Sequence, residues 1–432
     1  MENVHLNITV MLSKINSLLL MVIITSLFWA MSCDKNGSDV RAGDLPDPIR
    51  IDLRSAEQQM VRADQTFAFE FFEHLFVEES LGEDNNFMVS PLSLSMALAM
   101  TWNGAAGKTK EAMQQTLKMD GFSDDELNSY YKKLREALLK TDPSTKLSIA
   151  NAIFTNQSVK IKPDFVNTNR SFYEATVEAV DFTRPETVSI INKWASDNTN
   201  GLIEKVIENT KPEDLMYLLN AIYFKGIWTS EFDKKNTSER PFTYENGTRK
   251  NVEMMKQTAK FNYTNDENLQ LVQLPYGNQA FSMMVLLPAE DKKLQDVIAT
   301  TRQEGYWENL KSGLHETEVE LSLPKFKTEY SKRLNEVLAK MGMGIAFANA
   351  ADFSRMSDAP AKIDFVKQDT YISTDELGTE AAAVTTIGMI MTSLPVNPEK
   401  VVFNANRPFL YLIQENSTGA ILFMGAVKNF DK

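Results

Sequence analysis

One cysteine and three histidines are all that the 432-residue chain holds of the side chains most used in metal and nucleophilic chemistry. A solitary Cys33 allows no internal disulfide and no thiolate cluster, and His5, His74 and His315 are too dispersed for a zinc site. Positive charge is short as well: 45 Lys and Arg stand against 58 Asp and Glu, a net −13, with no basic block. Such a surface repels phosphate, which argues against nucleic acid and anionic lipid faces as partners. Catalytic signatures are missing too. No G-x-S-x-G elbow occurs, and His315-Glu316 lacks the second His of a zinc protease. The stretch Gly104 to Thr109 (GAAGKT) has Trp102 where a phosphate loop needs its first Gly, so it reads as a turn between helices. His74, beside Glu73, and the carboxylate pairs Asp124-Asp125 and Glu78-Glu79 read as solvated faces. No enzyme, metal or cofactor is expected.

What the chain does have is 43% apolar residues, enough for a packed core, and one uncharged apolar run near its amino end. Leu18 to Ala30 (LLLMVIITSLFWA) follows Lys14 and precedes Met31-Ser32-Cys33. It is short for a bilayer span and has the basic, apolar, small-residue order of an export signal, with Met11 as an alternative start. The segment resembles a bacterial lipoprotein signal, which implies removal of residues 1–32, acylation of Cys33 and a membrane-anchored protein of the cell envelope or surface. The alternative is an ordinary export signal with an incidental Cys. Residues 33–60, polar with Gly and Pro between Asp34 and Ile49, read as a flexible tether.

From Val61 to Lys432 no repeat, low-complexity stretch or second linker interrupts the chain, so one large domain is expected. Helical spacing of Phe67, Phe71, Phe72, Leu75 and Phe76 predicts a first helix, and Ser90-Pro91 opens a second through Met100. Strand patterns cover Leu147 to Thr155, Met216 to Phe224, Ala280 to Leu287 and Glu318 to Leu323. Helical patterns cover Pro185 to Asn200 and Ser331 to Met341, and the last forty residues read as strands joined by turns. The class is α+β with mixed, largely antiparallel sheets.

The unusual segment is Asp375 to Leu394 (DELGTEAAAVTTIGMIMTSL), which carries no charge after Glu380 and is rich in Val, Thr, Ile and Met. That is the composition of a strand waiting for a sheet. Ala381, Ala382 and Ala383 bury little area, so they suit a segment that passes between neighbours rather than one that anchors a core. Together with NFMVSPLSLSMALAM (86–100), LLNAIYFKGIW (218–228), VELSLPKFKTEYSKRL (319–334), ADFSRMS (351–357), FNANRPFLYLI (403–413) and LFMGAV (422–427), this segment resembles the serpins over nearly all of 61–432.

The resemblance implies three β-sheets surrounded by helices, a reactive-centre loop exposed over Glu376 to Pro395, and a monomer that inhibits serine proteases by suicide. A target cuts the loop, is held as an acyl-enzyme, and is carried off as the loop enters the central sheet. The implied hinge is Glu376, Gly378, Thr379, Glu380, Ala381, Ala382 and Ala383. Side chains alternate along an inserted strand, so Thr379, Ala381, Ala383 and Thr385 would face the core and Glu380 the solvent. Glu376 resembles the family Glu that pairs with a Lys at the mouth of the sheet, matched by Lys325, and Trp228 matches the aromatic residue covering that mouth. Ser90 and Asn220 match members of a cluster lower in the sheet, where Gln368 replaces the family His. Counting from Glu376 implies a scissile bond at Thr392-Ser393, or at Met391-Thr392. No Lys or Arg lies between Lys367 and Lys400, so a trypsin-like pocket, which carries a carboxylate, would be left unpaired. The expected targets are elastase-like, subtilisin-like or chymotrypsin-like enzymes, with some cysteine proteases.

Anchoring is testable without any protease. Acyl chains contribute about 0.8 kcal/mol per buried CH₂, so the exported protein is expected in the detergent phase of a partitioning assay and Cys33→Ala in the aqueous phase. Wild type in the aqueous phase leaves only an export signal.

Overall fold

A computed structural model describes residues 45–81, 85–379 and 400–431. The helices are α1 (Ser55–Glu79), α2 (Pro91–Trp102), α3 (Gly107–Thr116), α4 (Asp124–Leu138), α5 (Pro163–Tyr173), α6 (Glu186–Asn198), α7 (Leu294–Thr301), α8 (Tyr306–Ser312) and α9 (Asn335–Lys340). The strands are β1 (Phe87–Val89), β2 (Lys146–Asn156), β3 (Thr176–Val180), β4 (Met216–Ile227), β5 (Ser238–Thr243), β6 (Arg249–Asn265), β7 (Leu269–Tyr276), β8 (Phe281–Pro288), β9 (His315–Pro324), β10 (Phe326–Arg333), β11 (Phe365–Thr374), β12 (Gly378–Thr379), β13 (Val401–Asn404), β14 (Phe409–Glu415) and β15 (Ile421–Val427).

The phenylalanines of α1 are all buried, as their spacing predicts. The helix starts at Ser55, ahead of residue 61 where the tether was expected to end. Ile51 and Leu53 are already buried, and the Ile51 amide donates to Ser417 Oγ at 3.0 Å. The body therefore takes in residues that composition alone assigns to the tether. Every residue of α2 is buried, which is why its sequence is apolar on all sides. Ser90 is its N-cap residue, but the hydroxyl is diverted from capping and donates to the Leu422 carbonyl at 2.6 Å. The turn expected at Gly104 to Thr109 joins α2 to α3.

Six strands form the central sheet in the order β10-β11-β12-β4-β2-β3. Strand β4 reads as a continuous apolar run because the sheet is covered on both faces: Met216, Leu218, Ile222 and Phe224 face the main core, while Tyr217 and Leu219 pack in a second cluster with Ile191 and Ala195 of α6. The other strands form a nine-stranded sheet, β1-β15-β14-β8-β7-β6-β9-β13 with β5 on β6. The three sheets implied by the resemblance are traced here as two hydrogen-bonded sheets. The long strand β6 joins two of them, pairing with β5 and β9 along most of its length and with β7 at its end.

The helical pattern over Ser331 to Met341 is only half realised. Strand β10 runs on to Arg333, paired with β11 through Lys332 and Gln368, and Lys332 bonds Glu78 and Glu79 of α1, so pairing overrides local periodicity. The helix is confined to α9.

Between α1 and α4 lies a buried carboxylate. Asp64 accepts hydrogen bonds from Tyr130 at 2.6 Å and Tyr131 at 2.8 Å. Burial pushes its carboxyl up to about 7, more than these hydroxyls pull it down. A folded-state value above the unfolded one means that the protonated form favours folding. The contribution is fully present below about pH 4 and is lost as pH rises towards 7. Relative to Asp64→Asn, wild type is expected to lose up to about 4 kcal/mol across that window, read from urea midpoints. Parallel curves for the two proteins would contradict it.

Candidate functional site

The site is the seam between β4 and β11. These strands run parallel and pair from Phe365↔Tyr217 to Asp369↔Ala221. Beyond that, among the described residues, no rung joins 222–225 to 370–373. At the far end β12 is wedged between the two strands, with Thr379 opposite Gly226 on one side and Thr374 on the other, and Gly378 opposite Ile227.

This placement corrects one expectation. The loop does not leave the body at Glu376: Glu376, Leu377, Gly378 and Thr379 are all buried. The cause is a turn at Asp375, whose carboxylate accepts from the amides of Leu377 at 2.9 Å and Gly378 at 3.3 Å, while its own amide donates to the Gly378 carbonyl at 2.9 Å. The chain folds back against β4 as a result. Gly378 has φ +153, and any Cβ there would sit 2.1 Å from the Gly226 carbonyl oxygen, so glycine is required at this approach.

At the mouth of the seam the structure brings Glu376, Lys325 and Trp228 together with Thr237, Glu253 and Tyr276. Glu376 and Lys325 meet at 2.9 Å, with the Glu376 side chain only 4% exposed. Thr237 donates to the same carboxylate at 2.8 Å, and Lys325 also meets Glu253 at 3.1 Å. Burial pushes the Glu376 carboxyl up, but the Lys325 ammonium and the Thr237 hydroxyl outweigh it and hold it below the usual range. Trp228 donates from Nε1 to the Asp375 carbonyl and from its amide to that of Leu377, both at 2.9 Å. Its indole stacks on Tyr276 with centroids 4.4 Å apart and planes at 12°.

Lower in the seam, Gln368 of β11 and Asn220 of β4 are register partners. Gln368 accepts from the Ser90 amide at 2.9 Å and donates to the Ser90 carbonyl at 2.9 Å and to Asn220 Oδ1 at 3.0 Å. Asn220 in turn donates to Asn151 at 2.9 Å and to the Ser93 hydroxyl. The cluster is buried and neutral. With Gln where the family has His, none of these five side chains titrates near neutrality.

Sequence reasoning missed Asp375, Thr237, Glu253, Tyr276, Ser93 and Asn151. Gly226, one residue before the end of the apolar strand β4, was a legible signal of close backbone approach, and Ser93 lies one helical turn beyond Ser90. The remaining hinge residues Glu380, Ala381, Ala382 and Ala383, the bonds at Met391, Thr392 and Ser393, and Cys33 lie outside the described residues.

A family model described as serpin (serine protease inhibitor) matches residues 62–430. The chain is 36% identical to the leukocyte elastase inhibitor of Xenopus laevis over 375 residues, covering 83% of this chain and 96% of that one. Among solved structures, the thermophilic serpin tengpin in its native state superposes with a TM-score of 0.79 at 34% identity, covering 89% of this chain and 97% of tengpin. Human thyroxine-binding globulin follows at 0.77 and 28%, covering 88% and 100%. The chain belongs to the serpin family.

Replacing Lys325 by Met leaves the Glu376 carboxylate buried beside a hydroxyl alone. Native stability is expected to drop by about 1–2 kcal/mol, Lys325 itself being partly in water, and Lys325→Met with Glu376→Gln should recover part of it. An unchanged urea midpoint in the single variant would contradict the pair's role.

Proposed function

We propose that this protein is a suicide-substrate inhibitor of serine endopeptidases, trapping the acyl-enzyme by inserting its cut loop between β4 and β11. The observation that carries this reading is the seam itself, open over 222–225 and 370–373 with Thr379 already at its mouth. Extending the antiparallel register from Thr379↔Gly226 sets Glu380 opposite Lys225, Ala381 opposite Phe224, Ala382 opposite Tyr223 and Ala383 opposite Ile222. The four open positions of β4 would therefore take Glu380 and the three alanines. Thr379 faces the core, so by alternation Ala381 and Ala383 do too, on the side of Phe224 and Ile222, and the Glu380 carboxylate falls on the other face.

Further entry needs work. Val384 would meet Ala221 and Thr385 would meet Asn220, where the β4–β11 rungs and the Gln368–Asn220 bond have to part. Each ladder bond gained contributes on the order of 1 kcal/mol net, so a full strand outweighs that opening. Insertion after cleavage is then a release of stored strain by β-strand addition. The bond at Thr392-Ser393, or at Met391-Thr392, offers a medium uncharged side chain, which suits elastase-like, subtilisin-like or chymotrypsin-like proteases and some cysteine proteases. Acylation at Cys33 would hold a monomer at the bacterial envelope. The likeness to thyroxine-binding globulin keeps a second reading in view, a serpin-fold binding protein whose loop is cut without trapping.

Incubation with one protease of each class separates the two. An SDS-stable complex with a released fragment beginning at Ser393 or Thr392 is expected, with trypsin-like enzymes poorly trapped. Cleavage with no complex for any enzyme supports the second reading. In Thr379→Arg, an unpaired charge is forced towards the core, so cutting should continue while the complex disappears. Unchanged trapping by that variant would contradict insertion.

A further inference from the structure

Tyr276 ends β7, in the nine-stranded sheet, yet its phenol reaches the central seam. Its hydroxyl and that of Thr379 share a hydrogen bond of 2.6 Å, with both residues fully buried. The ring is fixed independently of that bond, stacked on Trp228 and edge-on to Phe224 at 5.1 Å. Gly226 lets the ring lie against β4, since a Cβ there would stand 3.0 Å from Tyr276 Cδ1. Burial pushes the phenol far up, so it stays a neutral hydrogen-bonding group at any pH the fold tolerates.

We propose that Tyr276 is a positioning residue for loop insertion, its hydroxyl holding Thr379 as the first rung from which the cut loop zips into the seam. The proposal rests on the inhibitory reading above and adds a residue to it. Strand addition is slow at its first contact, because ordering the chain precedes any ladder bond, and fast afterwards. With Thr379 already seated between Gly226 and Thr374, Glu380 and Ala381 enter the next positions without a search. Trapping is a race between insertion and hydrolysis of the acyl-enzyme, so an unseated hinge gives more cut, unbound inhibitor. Before cleavage the same bond fixes only Thr379, so its loss should leave protease encounter unchanged or faster.

The test is Tyr276→Phe, which keeps the ring and its stacking, alongside Thr379→Val, Thr379→Ser and the Tyr276→Phe/Thr379→Val double variant. With a protease that wild type traps, the ratio of cleaved to trapped inhibitor should rise about fivefold in Tyr276→Phe, the equivalent of one neutral hydrogen bond. Thr379→Val should match it, the double variant should be no worse than either, and Thr379→Ser should behave as wild type. A wild-type ratio in Tyr276→Phe, or two single effects that multiply in the double, would overturn the proposal while leaving inhibition intact. If wild type traps no protease, the inhibitory reading fails and the claim is judged on the nicked chain. The Trp228 fluorescence change that follows loop cleavage must then slow about fivefold in Tyr276→Phe, and equal rates, or no change in either protein, overturn it.

Discussion

Backbone amides and carbonyls in a sheet seek partners, and between β4 and β11 the described chain leaves a stretch in which neither strand pairs with the other. Everything distinctive about the molecule is arranged around that stretch. Below it the strands pair directly; above it a short piece of the loop stands between them. Among the described residues the ladder between the two strands is thus incomplete, and Gly378 and Thr379 stand at its mouth.

The two ends of the seam are secured by different physics. At the mouth the fastening is ionic and partly wet, with Glu376 buried, Lys325 reaching solvent, and Trp228 capping the turn at Asp375. Lower down it is neutral and buried, a chain of amides and hydroxyls through Ser90, Gln368, Asn220, Ser93 and Asn151. On the proposed insertion, a strand entering from the mouth would meet the open rungs first, then the amide cluster. That order would favour a fast start and a committed finish, because parting Gln368 from Asn220 strands buried polar groups unless the new strand follows through.

Much of this was legible in the sequence. The phenylalanine spacing of α1, the apolar runs of β2, β4 and β8 and the alternation of β9 all correspond to elements, because in each the pattern reports which face is buried. Glu376, Lys325, Trp228, Ser90, Asn220 and Gln368 were picked out through resemblance and meet in space as two clusters. What stayed hidden depends on distant chain segments. Ser331 to Arg333 looks helical until β11 pairs with it, Ser90 looks like a cap until Leu422 arrives, and Tyr276 carries no local sign that its hydroxyl reaches Thr379. The buried hinge was hidden for the same reason. Asp375 and Gly378 form a turn that composition cannot distinguish from the start of an exposed loop.

On the proposed function, cutting the loop completes the ladder between β4 and β11. Hydrogen exchange of peptides covering 222–225 and 370–373, before and after the loop is cut by a protease, reads that ladder directly. Exchange in both segments should slow by orders of magnitude in the cut protein, while 217–221 and 365–369 stay protected because each exchanges its partner for the inserted strand. Equal exchange in the intact and cut forms would contradict the account.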